Sequence, residues 1–356
     1  MNSAEVLQFE ATSNDYKPEM TKVGIKDIAA MTGVSIATVS HAFRNPGRVS
    51  DLTREKVLKA AARLGYSPNH LAASLRTARS GNIVTIIPDV TDSYNSRIIK
   101  GIERAAHSRG YSVLLGNTQG SAEREKEYAA MARSRQADGI ILMSHRFPFD
   151  IDASAAAGEE LPPIVNGSEF TGHEGIPSVS IDDRQAAIDA VSHLLNLGHR
   201  SIGVITGDME STSSQQRLDG VRIALREAGL ETHDRNVIHG DYAMRDGERA
   251  TRKILANKEK PTAIFCFSDE IAIGCLHALR SFGLNVPGNL SVVGFDDVPF
   301  ARYCAPPLTT IAQPAEDIGA TCANILLDMI DGKKPTLFRH ILPHKLVVRE
   351  STRSIA

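Results

Sequence analysis

Polar and charged side chains follow several apolar runs of strand length between residues 82 and 300. Ligands of open α/β sheets bind beyond the carboxyl ends of the strands, which is where these side chains stand. An arginine with several aspartate and asparagine side chains around one cleft makes the paired, charge-assisted hydrogen bonds that a hydroxyl-rich molecule needs. The candidate ligand-binding residues are Tyr94, Asn95, His145, Asn166, Asp182, Arg217, Tyr242, Asp269 and Asp296.

Catalytic motifs are absent from the sequence. It has no G-x-S-x-G, H-E-x-x-H or G-x-G-x-x-G motif and no Walker loop, and no spacing singles out two aspartates as an acid–base pair. The four cysteines form no C-x-x-C pair, so we interpret them as reduced, with a zinc site as the alternative. We therefore expect no enzyme, no cofactor and no metal. A cleft enzyme of the same fold is the rival hypothesis, and it requires a nucleophile or metal constellation.

A second group of side chains lies near the N-terminus, in residues 21–66. Ile25, Ile28 and Ala29 share one helical face, Gly33 allows a tight turn, and Ser35 fits the N-cap of a second helix. Two helices joined by a short glycine turn, the second with small and polar residues at its exposed start, predict a helix-turn-helix. The candidate DNA-contacting residues are Ser35, Ile36, Ala37, Thr38, Ser40, His41 and Arg44, with Asn69 and Leu75 further along. A third helix at 53–64 would close the core with Val57, Leu58, Ala61 and Leu64, and an ordinary helical bundle is the alternative.

Charge is distributed unevenly along the chain. Residues 1–20 carry a net charge of −3, and residues 21–81 carry ten lysine and arginine residues against three acids, a net charge of +7. The remainder is acidic, since the whole chain has a formal charge of −2. A compact basic segment on an acidic body indicates polyanion binding by the first part alone. A chance cluster of surface lysines is the other interpretation.

The segment 67–81 separates the two parts. Asn69 can cap a helix of about two turns, which is too short to persist unaided. Leu71 and Leu75 are apolar where a free linker would be polar, so a hinge helix that forms only when docked is predicted, with a plain linker as the alternative. Residues 1–20 are polar and aperiodic and are expected to be a disordered tail.

From Asn82 onward, apolar runs of strand length alternate with amphipathic helical patterns. This alternation predicts βαβ units, and so many units predict two α/β lobes within residues 82–356. The first 20 residues lack the basic and apolar regions of a signal peptide, and no apolar run approaches the length of a membrane span, so a cytoplasmic protein is expected.

These motifs together resemble the lactose/galactose repressor (LacI/GalR) family, most closely its cytidine repressor branch. The likeness rests on Ile25-Lys26-Asp27-Ile28-Ala29, Val34-Ser35, Thr38-Val39-Ser40, Gly65-Tyr66-Ser67-Pro68-Asn69, Ser144-His145-Arg146-Phe147-Pro148-Phe149-Asp150 and Arg349-Glu350-Ser351-Thr352-Arg353. It implies a small all-α headpiece and a two-lobed, periplasmic-binding-protein-like sensing domain. It also implies a transcriptional repressor that binds double-stranded operator DNA as a homodimer. A solute-binding receptor is the rival, and it predicts a signal peptide and no headpiece.

The resemblance also implies roles for individual residues. Ile36, Ala37 and His41 would read bases, and Leu75 would enter the minor groove as a wedge. Arg217 and Asp296 match the family's ligand-anchoring pair, with a structural salt bridge between the lobes as the alternative. Asn95 replaces a residue that is often aromatic and stacks on the ligand. A nucleoside or a sugar is therefore the expected effector. The chain is expected to cross between lobes near 182–183, 296–303 and 310–314, and the absence of a leucine heptad after Arg349 predicts a dimer rather than a tetramer.

Overall fold

Three short helices form the N-terminal unit, α1 (Ile25–Thr32), α2 (Ile36–Arg44) and α3 (Asp51–Arg63), with a 3-10 turn at Pro46–Arg48. The computed structural model of the 356-residue chain describes residues 23–44, 46–66, 79–152, 158, 160–173 and 175–355. Contacts divide the chain into two units, with the boundary between residues 73 and 74.

The headpiece core is built as the apolar spacing predicts, with one correction. Ile28, Val39 and Val57 are fully buried at its centre. Leu58, expected in this core, is 38% exposed, and Ala60 is buried instead. The reason is that α3 presents the face formed by residues 57, 60, 61 and 64, which repeat at intervals of three and four, whereas residue 58 lies to one side of it.

The turns at the helix ends follow local chemistry. Gly33 ends α1 with φ = 68°, a left-handed conformation that favours glycine. The Ser35 hydroxyl accepts a hydrogen bond from the Thr38 amide at 3.0 Å, and Ser50 does the same for Thr53 at the start of α3. These caps fix where α2 and α3 begin. The Ser35 cap was predicted from the sequence, whereas α3 begins at Asp51, two residues before the predicted start.

The larger unit contains two α/β lobes, each built on a six-stranded sheet. Lobe 1 comprises β1 (Asn82–Ile87), α4 (Ser93–Ser108), β2 (Ser112–Asn117), α5 (Ala122–Arg133), β3 (Ile140–Leu142), β4 (Ile164–Gly167), β5 (Ser178–Ser180), α10 (Ala315–Ile330) and β11 (Arg339–Ile341). Lobe 2 comprises α6 (Asp183–Asn196), β6 (Ile202–Ile205), α7 (Thr212–Glu227), β7 (Val237–Ile238), α8 (Met244–Leu255), β8 (Ala263–Cys266), α9 (Asp269–Ser281), β9 (Ser291–Asp296), β10 (Thr309–Ala312) and β12 (Lys345–Val347), with 3-10 turns at Asp234–Asn236 and Pro299–Tyr303.

The two sheets share one topology. Lobe 1 has the strand order β11-β5-β4-β3-β1-β2 with every neighbouring pair parallel. Lobe 2 has the order β12-β10-β9-β8-β6-β7, in which only β12 is antiparallel to its neighbour. Both are doubly wound, and the strand order reverses between β1 and β3 in one lobe and between β6 and β8 in the other. A doubly wound sheet binds its ligand at this switch point, beyond the carboxyl ends of the strands.

The chain crosses between the lobes at 181–182, at 313–314 and at 342–344, as the sheet membership of the flanking elements shows. The crossings at 181–182 and 313–314 agree with those expected near 182–183 and 310–314. The crossing expected at 296–303 is wrong, because β9, the following 3-10 turn and β10 all remain in lobe 2. The third crossing joins β11 to β12, two short strands that the sequence pattern did not reveal. Within the described residues, no helix combines the length and apolarity needed to cross a membrane.

Candidate ligand-binding cavity and headpiece surface

A cavity of about 460 Å³ opens where the carboxyl ends of both sheets meet. Its walls come from the segments after β1, β2, β3 and β4 in lobe 1 and after β6, β7, β8 and β9 in lobe 2. The lining residues are Pro88, Asp89, Asp92, Tyr94, Asn95, Gln119, Gly120, Met143, Ser168, Glu169, Ser213, Arg217, Asp241, Tyr242, Ala243, Arg245, Glu270 and Asp296. Tyr94, Asn95, Arg217, Tyr242 and Asp296 from the sequence prediction are thus brought together in one cavity.

Arg217 projects from the first turns of α7 and is held firmly within lobe 2. Its Nε donates to Asp183 Oδ1 at 2.8 Å and its Nη1 to the Phe267 carbonyl at 2.5 Å, while the guanidinium lies 3.7 Å from the centroid of the Phe295 ring. Burial works to lower the pKa of Arg217, but the neighbouring Asp183, Tyr242 and Asp296 together outweigh it, and the pKa stays above the usual value. Burial raises the pKa of Asp183 to about 6, a rise that Arg217 opposes. The arginine is therefore a fixed, permanent cation in the cavity wall.

Asp296 ends β9 with its carboxyl group buried. Its Oδ1 accepts a hydrogen bond from Gln313 Nε2 at 2.8 Å, and burial raises the pKa of Asp296 well above its usual value against the opposing effect of Arg217. The Gln313 side chain also accepts from the Tyr94 hydroxyl at 2.9 Å, and that hydroxyl lies 2.7 Å from Ser168 Oγ. A polar chain thus runs from lobe 1 through the crossing segment at Gln313 to lobe 2.

Tyr242 is the second tyrosine that lines the cavity. Its hydroxyl lies 2.5 Å from Ser214 Oγ on α7, and its ring covers Gly207, where a Cβ atom would lie 2.1 Å from the ring carbon Cζ. Glycine at 207 is therefore required for the ring to take this position. The two tyrosines give the cavity aromatic surface although Asn95 stands at the position where the resemblance led us to expect an aromatic residue. Asn95 is buried, and its Nδ2 donates to the Asp89 carbonyl at 3.2 Å.

Strained backbone conformations concentrate at the cavity. Among the described non-glycine residues, those with positive φ include Gln119 (53°), Ser168 (62°), Tyr242 (58°) and Asp296 (108°), and all four line the cavity. Such conformations cost of order 1–3 kcal/mol each and persist where the surrounding structure over-determines them. Their clustering supports the assignment of this cavity as the functional site of the larger unit.

The cavity is rich in carboxylates. Asp89, Asp92, Glu169, Asp241, Glu270 and Asp296 line it, against the two cations Arg217 and Arg245. Asp92 also caps α4 by accepting from the Asn95 amide at 2.7 Å, and burial raises its pKa to about 6. Carboxylates accept hydrogen bonds from hydroxyl and amino groups and repel anions. The wall is therefore better suited to a hydroxylated ligand than to an anion.

Glu169 and Glu270 were not selected from the sequence, although a signal for Glu169 was available. Glu169 stands two residues after β4, among the strand-end residues to which the prediction applied, and three residues after Asn166, which was selected instead. Glu270 lies in the first turn of α9, directly after the selected Asp269, so nothing in the pattern separated the two acids.

Four predicted ligand contacts lie outside the cavity lining, and each has a structural position of its own. Asp182 is exposed and caps α6 through the Gln185 amide at 2.9 Å, while its neighbour Asp183 pairs with Arg217. Asn166 is buried beneath the wall, where its Nδ2 donates to the carbonyl of Leu142 at 2.7 Å. The expectation that Asp182 and Asn166 line the cavity is therefore corrected. Successive side chains of an extended segment point to opposite faces, so the neighbour of a cavity-facing residue points away from the cavity.

Asp269 is the third predicted ligand contact that lies outside the cavity lining. Asp269 is fully buried and accepts from Thr310 Oγ1 at 2.6 Å and from the Val298 amide at 2.8 Å, so it links the start of α9 to β10 and to the segment after β9. Burial raises its pKa to about 7. The cap of α9 is Ser268, whose hydroxyl accepts from the Ile271 amide. Asp269 therefore does not line the cavity, although the sequence analysis named it as a candidate ligand-binding residue.

His145 lies outside the cavity lining and close to two acids, Asp208 and Glu210. Their potential metal-ligating atoms are all within 4.8 Å of one another, and His145 Nε2 is 3.7 Å from Glu210 Oε2. The guanidinium of Arg146 lies 3.9 Å from the same Glu210 oxygen, so a cation placed here would meet electrostatic repulsion. Glu210 is also three-quarters exposed, which leaves the cluster without a rigid ligand frame.

The headpiece presents the start of α2 to solvent. Ser35, Ile36 and Ala37 are exposed, Ile36 to 44%, whereas Ser40 and His41 are half-buried. The Thr38 hydroxyl lies 2.8 Å from Ser35 Oγ and takes part in the cap. Basic residues Lys26, Arg48, Arg54, Lys56, Lys59 and Arg63 are exposed on the same small unit. The side chain of Arg44, and all of Asn69 and Leu75, lie outside the described residues.

Both units of the chain match models of known protein families. Residues 24–69 match the family model described as bacterial regulatory proteins, lacI family, and residues 191–352 match a periplasmic binding protein-like domain. The HTH-type transcriptional repressor CytR of Escherichia coli (strain K12) is 38% identical over 339 residues, which is 95% of this chain and 99% of that protein.

Solved structures agree with these matches. The lac repressor dimer bound to operator and the anti-inducer ONPF superposes with a TM-score of 0.80 at 28% identity, covering 94% of this chain and 100% of that one. A transcriptional regulator CelR–cellobiose complex superposes with a TM-score of 0.70 at 30% identity, covering 92% and 99%. The fold class and the expectation of a regulator rather than an enzyme are confirmed by these relatives. The chain is a DNA-binding transcriptional regulator and belongs to the lacI family of bacterial regulatory proteins.

Proposed function

We propose that this regulator binds operator DNA as a homodimer and that a small, uncharged, hydroxylated effector, a nucleoside or a sugar, controls its affinity for the operator. The observation that carries the proposal is the composition of the 460 Å³ cavity, whose lining combines the fixed guanidinium of Arg217 with several carboxylates and two tyrosines. Paired hydroxyl groups bind to such side chains in a bidentate manner, and an aromatic wall covers the flat face of a sugar or base.

The headpiece supports the DNA-binding part of the proposal. Ile36 and Ala37 offer apolar surface of the kind that contacts thymine methyl groups, and the surrounding lysines and arginines suit phosphates. Arg44, Asn69 and Leu75 belong to the same proposal on the strength of the sequence resemblance. The solved relatives include a complex with cellobiose and a lac repressor dimer on operator, which makes a sugar-like effector and a dimer reasonable for this chain.

The proposal is tested in two steps. Selection from a random duplex library defines the operator, and light scattering of the complex is expected to give two chains per operator. A thermal-shift screen of nucleosides, monosaccharides and disaccharides then identifies the effector, and the hit is titrated into the operator complex. We expect the hit to change operator affinity at least tenfold, about 1.4 kcal/mol.

Two variants locate the effector site. Asp296→Asn is expected to remove most of this response while leaving operator affinity within a few-fold, and Gln313 can still donate to the asparagine oxygen. Glu231→Gln, at an exposed position remote from the cavity lining, serves as the matched control. An unchanged response in Asp296→Asn would place the effector elsewhere, and failure to enrich any DNA sequence would remove the proposal as a whole.

A further inference from the structure

Two glutamates at the cavity reach across from one lobe to the other. Glu169 belongs to the segment after β4 in lobe 1, and its carboxylate accepts hydrogen bonds at the start of α7 in lobe 2. The donors are Ser211 Oγ at 2.6 Å, Thr212 Oγ1 at 2.7 Å, Ser213 Oγ at 2.7 Å and the Ser213 amide at 3.3 Å. One carboxylate of lobe 1 therefore holds four groups of lobe 2.

The second contact runs in the opposite direction. Glu270, in the first turn of α9 in lobe 2, accepts from both the amide and the hydroxyl of Ser93 at the start of α4 in lobe 1, each at 3.1 Å. Each lobe thus supplies one carboxylate and one helix N-terminus. We call these two contacts the Glu169 clasp and the Glu270 clasp.

Helix geometry explains why both contacts favour closure. The first amides of a helix have no partner within that helix, and the N-terminus carries a partial positive charge. A carboxylate placed there satisfies the amide and gains electrostatically. The amides of Ser93 and Ser213 lie in the first turns of α4 and α7, where their acceptors come from the opposite lobe.

We infer that the Glu169 and Glu270 clasps hold the two lobes together over the cavity through the chain's own groups, without a contribution from the effector. The clasps act as a pair, because separating the lobes breaks both. Glu169 and Glu270 are positioning residues in this inference, since they set the lobe arrangement that an effector meets. The inference is independent of which effector the cavity takes.

The pairing of the clasps gives a test that a local role would fail. Amide hydrogen exchange of the full chain, with no small molecule added, is followed at Ser93 and at Ser213. In the unaltered protein both amides are expected to exchange slowly. Glu169→Gln is expected to accelerate exchange at Ser213 and also at Ser93, by at least tenfold, although Ser93 contacts the other glutamate. Glu270→Gln is expected to give the reciprocal result.

Control variants separate coupling from local damage. Glu123→Gln changes a carboxylate that accepts from Ser121 Oγ at the start of α5 within lobe 1, and it is expected to leave both amides unchanged. Ser213→Ala removes one donor of the Glu169 clasp without changing a charge, and acceleration at Ser93 is expected again. Acceleration confined to the altered clasp, or fast exchange of Ser93 and Ser213 in the unaltered protein, would overturn the inference.

Discussion

Replacement of Arg217 by alanine should destabilise the larger unit in a way that depends on pH. Arg217 and Asp183 are each about 5% exposed and share a hydrogen bond of 2.8 Å, so the variant leaves a buried carboxyl group without its counter-charge. Breaking a buried ion pair from one side costs about 3–5 kcal/mol. The Phe267 carbonyl and the Phe295 ring also lose their contacts with the guanidinium.

The pH dependence follows from the pKa of Asp183. Burial already raises this pKa to about 6 although Arg217 opposes the rise, and without Arg217 the folded-state pKa is expected to rise further. A carboxyl group whose folded pKa exceeds its unfolded value prefers to be protonated in the fold. Stability therefore decreases as pH rises from the unfolded pKa, near 3.9, to the folded pKa, and in the variant this decrease continues above pH 6.

Urea unfolding followed by circular dichroism at pH 5 and pH 8 measures the difference. The loss caused by Arg217→Ala is expected to be largest at pH 8, at about 3–5 kcal/mol, and smaller at pH 5, where Asp183 is protonated. Adding Asp183→Asn to the variant should restore part of the stability at pH 8. Arg184→Ala is the control, because Arg184 is half exposed and its nearest carboxylate contact is 3.7 Å. Equal losses at both pH values would refute the argument.

Three further predictions concern the cavity, the headpiece and the hinge. Gly207→Ala places a Cβ atom 2.1 Å from Cζ of Tyr242. We expect this overpacking to lower the free energy of unfolding by about 1–3 kcal/mol and to weaken effector binding at least tenfold in calorimetry. An unchanged affinity would show that the Tyr242 ring does not contact the effector. Operator affinity should fall steeply with salt in a fluorescence anisotropy titration, by about 0.9 in log K for each tenfold increase in salt concentration and each phosphate neutralised. A flat response would contradict phosphate contacts by the headpiece. Leu75→Ala should weaken operator binding at least tenfold, about 1.4 kcal/mol, and leave binding to scrambled DNA nearly unchanged in gel shifts, whereas equal losses on both would make Leu75 a linker residue.

Strand–helix alternation allowed most of the fold to be predicted. The apolar runs of strand length from Asn82 onward correspond to β1 to β9, since a buried parallel strand is almost continuously apolar. The C-terminal elements were missed for physical reasons. β11 and β12 are three residues each, each begins with a basic residue, and neither is buried, so neither has the pattern of a buried parallel strand. Their pairing with β5 and β10 is fixed by the sheets that they join, which a local pattern does not record.

The site was predictable to the level of the strand end but not of the single side chain. Position at a strand end selected Tyr94, Tyr242 and Asp296, and all three line the same cavity because the ends of parallel strands meet at one edge of a sheet. It failed between Asp182 and Asp183, where both acids follow the same strand and only the direction of α6 decides which one meets Arg217. The failure at Asp269 has the same origin, since the first turn of α9 points one acid inward and the next, Glu270, toward the cavity.

The clasps bear on how an effector would act. A ligand shifts an equilibrium between lobe arrangements only by the difference between its affinities for them. If Glu169 and Glu270 already favour the closed arrangement, a ligand that fits the closed cavity adds little to a state that is well populated. A ligand that reverses it has to displace Glu169 from the start of α7, and shifting a closed population from 99:1 to 1:99 requires a differential affinity of about 10⁴. Weakening a clasp by Glu169→Gln therefore lowers the affinity difference that a ligand needs to open the lobes. In a titration of effector into the operator complex, the variant should reach its midpoint at a lower effector concentration if the ligand opens the lobes. The midpoint should lie at a higher concentration if the ligand closes them.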